Sequence, residues 1–145
     1  MLQITRKHVF AAAHRLYDYE GQCERLHGHN YRVEVTLSAA ALNRLGMVMD
    51  FAEVKEVLFG ALDACWDHRT LLFERDPLCG SLGALLADGS ICPVPFNPTA
   101  ENMAAYLGEN LFPEVMRRRG LDGVRLDAVT VHETDHSAAR WSREA

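Results

Sequence analysis

The sequence predicts an α+β domain in which an antiparallel sheet carries its helices on one face. Three observations point there. Residues 29–39, "HNYRVEVTLSA", alternate cleanly, with Tyr31, Val33, Val35 and Leu37 on one side and Arg32, Glu34 and Thr36 on the other. That is the period-two pattern of a half-buried strand. Two later stretches repeat apolar residues at spacings of three and four, the period of an amphipathic helix. The order is strand pair, helices, strand pair (ββααββ), with no internal sequence repeat, and such a layout segregates helices to one face of the sheet.

Taken in order, residues 2–14, "LQITRKHVFAAAH", are rich in β-branched and aromatic residues and predict the first strand. His8, Phe10, Ala12 and His14 share one parity and hence one face. A polar, turn-rich stretch over 15–28 leads to the second strand, and a loop of that size most simply joins an antiparallel pair. Asp50 predicts the N-cap of the first helix, with Glu53 as its capping-box partner. Phe51, Val54, Leu58, Leu62 and Cys65 line that helix, which runs out near residues 66–68. Residues 74–97, interrupted by glycine and proline, predict a long, partly irregular loop. Asn97 or Thr99 caps the second helix, with Pro98 in its first turn. Met103, Ala104, Leu107 and Leu111 form its apolar face, Pro113 kinks or restarts it, and Gly120 closes it. Residues 124–134, "VRLDAVTVHET", predict a third strand and 138–143 a short fourth.

The chain has 145 residues, 48% hydrophobic and 24% charged, with a net charge of −5. That is one ordinary domain with enough apolar residues for a core. The charge balance lacks the basic excess of a nucleic-acid binder. Of the four cysteines, Cys23, Cys65, Cys79 and Cys92, none form a C-x-x-C pair. With no apolar leader or membrane-spanning block at the start, the expectation is a reduced, cytoplasmic protein without a membrane association.

The chemistry concentrates in "CERLHGH", residues 23–29. His27 and His29 are two apart, so in a strand both imidazoles point the same way, and Gly28 lets the backbone approach closely. Zinc takes imidazole nitrogen, and a catalytic site keeps three protein ligands and one open position. His14, ending the first strand, is the best third ligand. The plain alternative is coincidence in a chain with seven histidines. Cys23 is a general base, a nucleophile or a fourth, closing ligand. Asp67-His68 reads either as an acid–base pair or as a helix-end histidine on the dipole. Thr99 and Glu101 suit helix capping, and Glu133 an exposed strand end.

Six blocks in order resemble the 6-pyruvoyltetrahydropterin synthase / 6-carboxytetrahydropterin synthase family. They are "FAAAHRL" (10–16), "CERLHGHNY" (23–31), "MDFAEVK" (49–55), "WDHRTLL" (66–72), "NPTAEN" (97–102) and "VHET" (131–134). The resemblance implies the T-fold (tunnelling fold), trimers that close their sheets into a barrel, stacking into a hexamer, and active sites between subunits. It implies zinc on His14, His27 and His29, Cys23 as catalytic thiol, and Asp67 and His68 as its partners in proton transfer. Glu133 then grips the pterin edge, with Thr99 and Glu101 bordering the pocket. The implied reaction is a lyase step on 7,8-dihydroneopterin triphosphate that yields 6-carboxy-5,6,7,8-tetrahydropterin, triphosphate and acetaldehyde on the route to queuosine. Three features depart from the family pattern. Leu72 stands where many members have asparagine, the 74–97 segment is longer than in compact members, and Glu24 follows Cys23. In one branch a glutamate at that position replaces the thiol and yields 6-hydroxymethyl-dihydropterin. Further alternatives are a 6-pyruvoyltetrahydropterin product and a non-enzymatic pterin-binding protein with a structural zinc.

Overall fold

The computed structural model describes residues 1–144. Strand β1, Gln3–His14, pairs antiparallel with β2, His27–Ala39, from Gln3 opposite Ser38 to His14 opposite His27. β5, Val124–Thr134, lies antiparallel on the other side of β2, and β6, Ser137–Ser142, pairs with β5. These four strands are the ones the sequence predicts.

Two short strands extend the far edge, so the six-stranded sheet runs β4-β3-β1-β2-β5-β6 and is mixed. β3, Arg69–Phe73, pairs parallel with β1, and β4, Ile91–Val94, parallel with β3. The 74–97 stretch is therefore more ordered than the predicted loop, because it holds a short helix α2, Leu78–Leu85, as well as β4. β4 is four residues long and contains Pro93. A strand that short shows no alternation, and proline is tolerated at a sheet edge. β3 buries two successive leucines, Leu71 and Leu72, the continuous apolar run of a strand covered on both faces.

Helix α1 spans 51–66 and helix α3 spans 100–118; each contains one π-helical turn, Lys55–Phe59 and Leu107–Leu111. Asp50 caps α1 by accepting from the Ala52 amide at 2.8 Å. Thr99, not Asn97, caps α3, accepting from the Asn102 amide at 3.1 Å, so Pro98 sits just outside the first turn. Pro113 does not end α3; the π turn immediately before it absorbs the missing N–H. Gly120, at φ 68°, closes the helix, with its amide on the Arg117 carbonyl and the Leu121 amide on the Met116 carbonyl. That is the paired bonding of a Schellman end.

Both long helices pack on the face of the sheet that carries Phe10, Tyr31, Val33, Val35 and Leu37, all essentially free of solvent. The same parity continues along β1 and β2 past the apolar stripe, so its last positions are His14, His29 and His27. Just beyond, Arg15 clamps Asp76 through Nε at 2.6 Å and Nη2 at 2.5 Å. The Asp76 carboxylate is fully buried and also accepts from the Leu78 amide at 2.9 Å, which starts α2. The pair ties the end of β1 to the segment leading into β4.

The Arg15 guanidinium holds the Asp76 carboxyl below the usual carboxylate range. Its stabilisation is thus fully present above the ordinary aspartate value of about 4 and is lost as the pH falls below it. Arg15→Met should cost about 3 kcal/mol at pH 7, because it strands a buried charge. Urea unfolding at pH 7 and pH 3 should show a smaller loss of stability on acidification in the variant than in the wild type.

Candidate metal centre and active site

The register of β1 against β2 sets His14 opposite His27 and Ala12 opposite His29. Directly opposed residues point to the same side of a sheet, so three imidazoles gather at one end of the helix-covered face. One ligand atom of each lies within 4.8 Å of the others. The backbone at Gly28 runs close to β1: a Cβ there would sit 3.2 Å from the Ala12 carbonyl oxygen, tighter than ordinary contact.

Two of the rings are oriented by backbone carbonyls. His14 Nδ1 donates to the Pro98 carbonyl at 2.8 Å, and His27 Nδ1 to the Arg25 carbonyl at 2.6 Å. A carbonyl only accepts, so Nδ1 carries a proton in both rings, and in the neutral tautomer that a metal binds each Nε2 presents a lone pair. These Nε2 atoms are 3.2 Å apart. Two lone pairs at that distance repel unless a cation lies between them. Tetrahedral zinc with ligands at about 2.0–2.1 Å puts neighbouring nitrogens about 3.3 Å apart. Among the described residues His29 Nε2 is buried with no hydrogen-bond partner, and Glu133 Oε1 stands 3.4 Å from it. Burial pushes the His14 and His29 imidazoles below their ordinary range, which favours the neutral form that metals bind. The donor set fits a borderline-soft divalent cation such as zinc.

Around this centre stand Tyr31 and Glu133. The Tyr31 hydroxyl is buried without a hydrogen-bond partner among the described residues, and its ring meets those of His14 and His29 edge-on at 5.8 and 5.4 Å. Burial, with Glu133 and Cys23 nearby, raises its ionisation well above the ordinary range, so it stays a donor. Cys23 is a free, half-buried thiol on a 3₁₀ turn, Gln22–Glu24, and its carbonyl accepts from the Leu16 amide at 2.8 Å. It lies outside the three-histidine group, so among the described residues the cluster keeps an open position.

Asp67 and His68 lie elsewhere. They follow α1, where Asp67 Oδ1 accepts from the Ala11 amide at 3.0 Å and the His68 amide donates to the Ala11 carbonyl at 2.7 Å. His68 Nδ1 is 2.9 Å from Asp67 Oδ2, while the His68 side chain is 82% exposed. Burial alone would raise the Asp67 carboxyl, but the Ala11 amide and His68 more than offset it and hold it below the ordinary range. His68 sits at φ 59°, a left-handed conformation that costs a non-glycine residue about 1 kcal/mol and concentrates at functional sites. It borders an open groove of about 400 Å³ lined by residues of β1, β2 and β3, with His29 and Arg69 among them. Strand alternation turns the Ala11, Ala13, Asn30 and Thr70 side chains to the helix-free face, opposite the His29 imidazole, so the sheet stands between the dyad and the imidazole cluster of the same chain.

The structure brings the imidazoles of His14, His27 and His29 together, with the Glu133 carboxylate 3.4 Å from His29 Nε2. Thr99 acts as the α3 cap. Glu101 lines a separate groove with Ala105 and residues 138–141, away from the histidines. Glu24 is exposed on the Cys23 turn. The two orienting carbonyls, of Pro98 and Arg25, carry no residue signature and were out of reach of a sequence reading.

The family model described as 6-pyruvoyl tetrahydropterin synthase matches residues 3–144. The chain belongs to this family. A protein of Rickettsia bellii named 6-carboxy-5,6,7,8-tetrahydropterin synthase is 35% identical over 115 residues, covering 79% of this chain and 83% of that one. One of the same name from Aquifex aeolicus is 30% identical, covering 98% of both. The 6-pyruvoyl tetrahydropterin synthase of Caenorhabditis elegans superposes with a TM-score of 0.68 at 27% identity, covering 99% of this chain and 96% of that one. The α+β architecture is the T-fold of this pterin synthase family. No helix of the described residues is long and apolar enough to cross a membrane.

The purified protein should bind one zinc per chain, and His29→Ala should weaken binding by at least about 100-fold, since a three-ligand catalytic site cannot spare a ligand. Metal analysis after dialysis against a graded chelator checks both.

Proposed function

We propose that the protein is a zinc-dependent lyase converting 7,8-dihydroneopterin triphosphate and one water to 6-carboxy-5,6,7,8-tetrahydropterin, with release of triphosphate and acetaldehyde, on the route to queuosine in the cytoplasm. The convergence of three imidazoles on one point, with a carboxylate and a thiol nearby, carries this reading. The names of the relatives from Rickettsia bellii and Aquifex aeolicus support the product. His14, His27 and His29 hold the zinc, which supplies a Lewis acid that polarises the substrate's side-chain oxygens. Glu133 accepts from the pterin's amino-pyrimidine edge, where a carboxylate matches two N–H donors in one plane. Thr99 borders the pterin pocket, next to the Pro98 carbonyl that orients His14; Glu101, whose groove is separate from the histidines, would meet the pterin only from a neighbouring subunit. Cys23 takes or returns the side-chain proton. His68, with Asp67 holding the proton on Nδ1, leaves Nε2 free to act with it.

The position of the dyad adds a requirement. Within one chain the sheet separates His68 from the imidazole cluster, so the proposed reaction needs His68 from a second copy. This supports a homo-oligomer, a trimer or a hexamer, with its active sites between subunits. A closed structural zinc in a pterin-binding protein is disfavoured, because Cys23 stands outside the ligand group.

Zinc-loaded protein given dihydroneopterin triphosphate should form the carboxy product and acetaldehyde, read by mass spectrometry. Formation of neither the carboxy nor the pyruvoyl pterin would sink the proposal. A hydroxymethyl product abolished by Glu24→Ala would select the alternative. Cys23→Ala and His68→Ala should each be inactive alone. Mixed and reassembled, they should regain about a quarter of wild-type activity, the share of two-subunit sites that are intact on random assembly. No recovery would contradict shared sites.

A further inference from the structure

We infer that Asn97 is a positioning residue for His14, holding that imidazole in its ligating orientation; the inference rests on the zinc reading above. His14 Nδ1 depends on a partner 84 positions away, the Pro98 carbonyl, in a buried hydrogen bond. Pro98 lies between β4 and α3, in a connection with no sheet or helix pairing of its own to place that carbonyl. What places it is the Asn97 side chain. Its Oδ1 accepts from the Tyr17 amide at 2.9 Å, and its Nδ2 donates to the Tyr17 carbonyl at 2.9 Å. One planar amide thereby satisfies both backbone groups of a residue three positions beyond His14.

The other side of Asn97 is pinned as well. Its carbonyl accepts from Asn102 Nδ2 at 2.9 Å and from the Thr99 amide at 2.7 Å, which ties it to the start of α3. The bonds from His14 to Pro98 and from Asn97 to Tyr17 close a ring between two segments distant in sequence. Within that ring the Pro98 carbonyl has little freedom to leave His14. Only a side chain with a donor and an acceptor in one plane at this length closes it. Aspartate lacks the donor and sets an oxygen against the Tyr17 carbonyl, and glutamine is one methylene too long. Partners that hold the second nitrogen of a ligating histidine fix its tautomer and ring angle, and their loss weakens metal binding. Asn97 touches neither metal nor substrate and acts only through Pro98 and His14.

The test uses cobalt(II) as a visible reporter in the full-length protein, with Asn97→Asp and Asn97→Ala beside the wild type. Both variants should bind cobalt about tenfold more weakly or worse and show a displaced visible band. Asp50→Ala, which removes the α1 cap far from this ring, serves as the stability control and should keep wild-type affinity and band. Affinity within about twofold of wild type and an unchanged band in both Asn97 variants would overturn the inference and leave the zinc reading intact. Wild-type protein that binds neither cobalt nor zinc would instead remove the zinc reading. The clamp is then judged in metal-free protein by the His14 Nδ1 proton resonance. That signal should be protected from exchange in the wild type and lost in Asn97→Asp; retention in the variant overturns the inference. If neither Asn97 variant folds, Asn102→Ala releases the Asn97 carbonyl at an exposed position. Weakened cobalt binding is then expected, and unchanged binding overturns the inference.

Discussion

The register between β1 and β2 is the constraint on which the rest depends. A strand shifted by one residue turns every side chain to the other face. Here the stripe of Phe10, Tyr31, Val33, Val35 and Leu37 must meet the helices, and their burial locks the register. Because the imidazoles continue the same parity, the energy that fixes the core also brings His14 to His27 and His29. The candidate metal centre is thus the last layer of the core, with nitrogen in place of carbon. Its closely spaced Nε2 atoms and buried unpartnered groups are the cost at that layer, one that a bound cation would relieve.

The two faces of the sheet divide the chemistry. The helix-covered face holds the imidazoles, Tyr31 and Glu133, and burial there pushes His14 and His29 below the ordinary histidine range. The helix-free side presents His68 at an exposed, left-handed turn, with Asp67 bound to the β1 backbone. This division explains why a single chain carries all the proposed groups and yet does not assemble them. Strand alternation makes it a necessary outcome: residues that follow α1 meet β1 at Ala11, one position off the parity that carries His14.

Much of this was legible in the sequence. Alternation over 29–39 and the shared parity of His8, Phe10, Ala12 and His14 reported the strand pair and its buried face directly. Asp50 and Gly120 behaved as helix punctuation because their side-chain and backbone chemistry is local. What escaped was non-local or too short to show a period. β3 and β4 gain stability only as a parallel edge against β1, and Pro93 disguised β4. Asn97 looked like a helix cap because its residue type suits one. Its bonds to Tyr17 exist only once the two segments meet in the fold. The separation of Asp67-His68 from the histidines likewise follows from the sheet, and no spacing in the chain reports it.

The account's central claim is an open three-imidazole centre built by strand register, with the thiol beside the metal and not on it. X-ray absorption at the zinc edge of the loaded, substrate-free protein tests this most directly. The account predicts three imidazole nitrogens and one further light atom at about 2.0–2.1 Å, with no sulfur. A sulfur scatterer at about 2.3 Å would place Cys23 on the metal, close the site and contradict the account.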